Sequence, residues 1–119
     1  MSDKPNRYCF ALDLKDDPEL IARYKQYHQP DNIWPEITDS IRRSGITAMD
    51  IFLTGNRLFM IMQVNDDFSF ELMEQVNNST PRSGEWEELM WTFQQALPWA
   101  KPNEKWLLME QIFSLPSTS

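Results

Sequence analysis

The 119-residue chain contains one cysteine, one histidine and three glycines. Each scarcity closes off a class of chemistry. A lone cysteine makes no internal disulfide, and Cys9, set in the apolar run YCFALDL with no cation beside it, reads as a small buried hydrophobe. One histidine and one distant cysteine do not assemble the nitrogen and sulfur ligands of a zinc site, and neither HExxH nor CxxC occurs. Carboxylates alone can hold magnesium, but the Asp16-Asp17 and Asp66-Asp67 pairs stand where helix N-termini are expected and read as caps and solvated charge. The glycines, at 45, 55 and 84, form neither GxGxxG nor a phosphate loop, and no serine or cysteine has the setting of an activated nucleophile. No metal and no cofactor are expected.

Positive charge is also in deficit. A net charge of −7 repels phosphate backbones and anionic lipid surfaces, which argues against nucleic acid as a partner. No segment approaches the roughly 20 apolar residues that cross a bilayer. MSDKPNRYCF has neither a basic region followed by an apolar run nor a cleavage site, so a cytoplasmic protein with no membrane partner is expected. The length, with 41% hydrophobic and 13% aromatic residues, suits one core and is short for two. One domain over 1–119 is expected, with an ordered part of about 7–116.

Residues 8–14 read as a strand, followed by KDDPEL, where Asp17 can cap a helix and Pro18 suits its first position. Leu20, Tyr24 and His28 recur every four residues and so share one face of that helix, which His28 ends. A second helix runs from Pro35 to Gly45. ITAMDIFL and RLFMIMQV, joined by TGN, read as a β-hairpin in which Gly55 and Asn56 tolerate positive φ. FSFELMEQVNN and GEWEELMWTFQQAL read as helices, the second on the spacing of Trp86, Met90, Phe93 and Leu97, with Pro98 closing it. A last strand is expected over 106–113, and PSTS as a frayed tail.

This order matches a split β-α-β, ferredoxin-like α+β plan: a four-stranded antiparallel sheet with helices on one face. The strand at 57–64 carries Leu58, Met60, Met62 and Val64 on one face and Phe59 and Ile61 on the other, so both faces want cover. Helices account for one. The sheet of a second copy is the expected cover for the other, giving a homodimeric α+β barrel with room for a pocket in each half.

His28 is the one side chain that exchanges protons near neutrality without help. At the end of a helix it also serves the dipole as a cation, an equally good account from the residues alone. Tyr24, one turn earlier, sets a phenol beside the imidazole, a pairing able to hold and protonate a hydroxylated ligand. Of the five tryptophans, Trp86, Trp91, Trp99 and Trp106 cluster in the last third and read mostly as core or dimer contacts. An indole face also stacks on the C–H face of a sugar. Trp34, ahead of Pro35, reads as an anchor for the start of the second helix.

YKQYH followed by IWPEI, with Gly45, RLFMIMQV and EWEELM, resembles the L-rhamnose mutarotases, over about 7–116. The resemblance implies a small dimeric α+β-barrel isomerase that interconverts the α and β anomers of a monosaccharide by acid-base ring opening and closure. It puts His28 at the position of the proton donor, Tyr24 at a sugar-binding tyrosine and Trp86 at the first of two sugar-binding tryptophans. Met49 stands where the family has a second sugar-binding tyrosine, and Glu87 replaces the second tryptophan. HQPDNIWPE is two residues longer than the family spacing, which is expected to reshape the pocket near Asp31 and Asn32. L-Fucose therefore stands beside L-rhamnose as substrate. Asp50, Glu87 or a water are candidates for the partner base. The same barrel also hosts haem-binding proteins and cofactor-free monooxygenases, and a non-catalytic sugar-binding module is a third alternative.

Overall fold

A computed structural model describes residues 5–116. The start of the N-terminal stretch and the end of the PSTS tail lie outside them. The order is β1 (Arg7–Leu14), α1 (Pro18–Tyr27), α2 (Pro35–Arg43), β2 (Ile46–Thr54), β3 (Arg57–Val64), α3 (Phe70–Ser79), α4 (Ser83–Trp91), β4 (Gln94–Gln95) and β5 (Leu107–Leu108). The strands form an antiparallel sheet in the order β2-β3-β1-β4, with β5 on the same edge of β1 as β4. This is the expected α+β plan, with five strands where four were expected.

Registry decides which side chains meet the helices. Phe10 pairs with Met60, Leu12 with Leu58 and Tyr8 with Met62, so the even positions of β1 and β3 share a face. On that face Leu12, Leu14, Leu58, Met60, Met62 and Val64 are buried; Leu14 and Leu58 pack with Ile37, Trp86 and Met90 from α2 and α4, and Met73 of α3 packs against the cluster of Met60, Met62 and Val64. Odd positions point the other way: Cys9 opposes Ile61, Ala11 opposes Phe59, and Phe52 of β2 opposes Phe59. That second face keeps apolar groups in solvent, Phe52 at 57% exposure among them. Cys9 is half-buried there, not the core residue that its apolar neighbours suggested.

The turns follow their residue chemistry. Asp17 Oδ1 accepts from the N–H of Glu19 and Leu20, at 2.9 and 3.2 Å, and Pro18 opens α1. Gly45 leaves α2 at φ +90°, where an added Cβ would lie 2.7 Å from Asn65 Oδ1 and 3.0 Å from Phe68 N, so any other residue is crowded. In the two-residue hairpin loop only Gly55 has positive φ. Asn56 instead donates through Nδ2 to Leu14 O at 2.9 Å, tying the hairpin tip to the end of β1.

Three expectations fail locally. Helix α4 stops at Trp91, six residues short of Leu97, and Pro98 does not close it. Thr92 Oγ1 donates to Leu89 O at 2.6 Å, and Lys15 N–H donates to Phe93 O at 2.9 Å, drawing the chain into β4 beside Leu14. Phe93 and Leu97 stay buried because the chain turns along the core, so their spacing imitated a continuing helix. The expected strand over 106–113 shrinks to Leu107–Leu108, paired with Ala11 and Phe10, while β4 takes the Asp13–Leu14 part of the same edge. Lastly, α3 is capped by Ser69, whose Oγ accepts from Leu72 N–H at 2.9 Å, and not by the Asp66-Asp67 pair.

Candidate active site

Helix α1 carries the site. Its face of Leu20, Tyr24 and His28 turns toward the sheet, and His28 is the residue at which the helix ends. Its Nδ1 lies 2.7 Å from Tyr24 O. A carbonyl only accepts, so Nδ1 carries the hydrogen and a neutral imidazole leaves Nε2 as a bare lone pair. Nε2 has no hydrogen-bond partner among the described residues. Burial pushes the His28 pKa below its ordinary 6.5, against the opposing pull of the Tyr24 carbonyl. The ring is therefore chiefly neutral at pH 7.

Around it stand aromatic rings. The Tyr24 ring lies 4.4 Å from His28 by centroids and the Trp86 ring 5.7 Å, edge to face. Trp34 supports Trp86 at 5.0 Å, and the Arg82 guanidinium covers Trp34 at 3.9 Å. Trp34 thus anchors the start of α2, where it occupies the N-cap position without a side-chain cap. The Tyr24 phenol is 4% exposed and receives a hydrogen bond from Gln94 Nε2 at 3.2 Å. Burial raises its pKa to about 12, the Gln94 bond opposing, so it remains a protonated phenol at neutral pH.

Tyr24, His28, Trp86 and Gln94 line a cavity of ≈ 1120 Å³ between the helices and the sheet, with Met60 and Met62 among its floor residues. Small-molecule clefts run to roughly 1,000 Å³. Tyr24, His28 and Trp86 come together at this cavity. Met49 lines the same cavity, half-buried on β2, and Asp50 lies exposed at its rim on the same strand. Glu87 also reaches it, with its carboxylate held by Lys105 Nζ at 2.9 Å. The longer turn after His28 folds back on α1: Asn32 Nδ2 donates to Gln26 O at 2.8 Å, and Gln29 and Ile33 become cavity wall. Gln94 is not among the expected site residues: it falls inside the helix expected over GEWEELMWTFQQAL, whereas α4 ends at Trp91 and Gln94 belongs to β4. Among the described residues no three His, Cys, Asp or Glu side chains gather as a metal site, and no helix is long and apolar enough to cross a membrane.

An L-fucose mutarotase from Xanthomonas campestris pv. campestris is 43% identical over 109 residues, covering 92% of this chain and 87% of the relative. A crystal structure of an L-rhamnose mutarotase from Formosa agariphila superposes with a TM-score of 0.66 at 22% identity, covering 94% of this chain and all of that one. A polyketide cyclase, tetracenomycin F2 cyclase from Streptomyces glaucescens, superposes at 0.55 with 17% identity over 96% of this chain and all of that one, a likeness of fold alone. The sequence pattern of the L-rhamnose mutarotases matches residues 7–115. The chain belongs to the L-rhamnose mutarotase family.

Proposed function

We propose that this single-domain protein is an isomerase that interconverts the α and β anomers of a 6-deoxy-L-hexose, with L-fucose its better substrate and L-rhamnose its second. The observation that carries the reading is the unpartnered Nε2 of His28, on a ring that lines the cavity beside a phenol and an indole. The 43% identity to an L-fucose mutarotase over 92% of the chain favours L-fucose.

The chemistry needs only proton transfers. Neutral His28 takes the anomeric hydroxyl proton on Nε2, the C1–O1 bond becomes a carbonyl, and the C1–O5 electron pair leaves on O5. The imidazolium then returns that proton to O5, which frees the aldehyde and restores the neutral ring. After rotation about C1–C2 the steps run backward on the other face. O1 and O5 share one carbon, so one nitrogen can serve both, and no carboxylate base is required. His28 thereby remains the donor to the ring oxygen. Trp86 stacks on the sugar and Tyr24 orients it, while Met49 and Glu87 shape the wall.

A homodimer and a cytoplasmic setting complete the reading. Phe52, Phe59 and Ile61 on the open sheet face, and a tail with Ile112 at 88% exposure, leave apolar surface that a second sheet would cover. The test is NMR saturation transfer between anomers across a panel of aldoses. Accelerated exchange for L-fucose above L-rhamnose, with little for D-glucose, is expected. Exchange at the uncatalysed rate for every 6-deoxyhexose would overturn it.

A further inference from the structure

Gln94 is a buried amide, 6% exposed, between Phe93 and Leu97 at 5% and 3%. An apolar side chain there would fill the space without losing hydration, so the amide is worth its burial only through the bond it makes. That bond is to the phenol of Tyr24, 70 residues away in sequence. Strand β4 makes it possible, because Gln94 pairs with Leu14 on the edge of β1 and its side chain is carried beneath α1.

A phenol has one hydrogen and an oxygen that accepts. When Gln94 Nε2 donates to that oxygen, the phenol hydrogen cannot point back, since the amide nitrogen has no lone pair to offer. Among the described residues no other acceptor lies within hydrogen-bond distance of the hydroxyl. The hydrogen is left for the cavity and whatever occupies it. A pyranose ring oxygen carries no hydrogen and only accepts, while the anomeric hydroxyl can donate. A fixed donor at Tyr24 and a fixed acceptor at His28 Nε2, on rings 4.4 Å apart, therefore match the two oxygens on C1.

We infer that Gln94 is a positioning residue: it locks Tyr24 as a hydrogen-bond donor to the ring oxygen of the bound sugar while His28 takes the anomeric proton. This rests on the mutarotase reading above. Negative charge grows on the ring oxygen as C1–O5 breaks, so a donor already aimed there helps the breaking bond more than the intact one. Loss of the lock falls on kcat and spares KM.

The test uses Gln94→Met and Gln94→Glu, each alone and with Tyr24→Phe, in the full chain, with circular dichroism melts to confirm folding. Methionine keeps the length and removes the donor; a kcat loss of about tenfold with KM within about twofold is expected. Glutamate loses more, because an ionised carboxylate accepts the phenol hydrogen and turns it away from the sugar. In the Tyr24→Phe background both substitutions become silent, as removing the phenol removes what they act through. Equal losses for Met and Glu, effects on KM alone, or losses that add to Tyr24→Phe would overturn the assignment. If Gln94→Glu does not fold, the Gln94→Met and Tyr24→Phe cycle decides alone. Wild-type exchange of L-fucose with no such pattern removes the role of Gln94 and leaves the mutarotase reading standing; no exchange by the wild type removes both.

Discussion

One hydrogen bond sets the chemistry of His28. Because Tyr24 O holds Nδ1–H at 2.7 Å, the proton-exchanging atom is Nε2, and burial lowers the pKa so that the base form prevails at neutral pH. The sign for activity follows. Protonation blocks Nε2 as a base, so kcat/KM is flat through neutrality and falls as pH drops through a value below 6.5. A pH profile of L-fucose exchange checks this, and an apparent pKa above 6.5 would contradict it. Stability moves the same way. The unfolded imidazole binds a proton at its ordinary 6.5 and the folded one only lower, so acidification between those values destabilises the fold. The Tyr24 and His28 pair was legible from four-residue spacing on a helix, whereas Gln94 was not, since its contact comes from the edge of the sheet, 70 positions away.

Elements were legible where a local rule fixes them. Asp17 and Pro18 announce α1, Gly45 ends α2, and Gly55 turns the hairpin, each through chemistry confined to a few residues. Gly45→Ala puts a Cβ against Asn65 Oδ1 and backbone of Phe68 at a positive φ, so a loss of roughly 2 kcal/mol or more in urea unfolding is expected. Unchanged stability would mean that this turn relaxes freely. The ends of α4 and of the last strand were not legible, because contacts far along the chain decide them. Burial continues at Phe93 and Leu97 after the helix has ended, and β4 and β5 divide the outer edge of β1 between them.

At the scale of the molecule, the second sheet face and the tail carry the apolar surface that the helices leave uncovered. The two-sided pattern of β3 was visible in RLFMIMQV, since alternation on a strand separates Leu58 and Met60 from Phe59 and Ile61 without further information. Sedimentation velocity at micromolar concentration is expected to show a dimer, and Phe52→Glu, which puts charge on the β2 part of that face, to shift it to monomer. A wild-type monomer would remove the closed barrel. What the protein does rests on the imidazole within the cavity. The decisive measurement is saturation transfer between L-fucose anomers with wild type and His28→Ala at equal concentration. A folded His28→Ala protein is expected to lose at least about 10²-fold of the exchange; exchange at the wild-type rate would contradict the account.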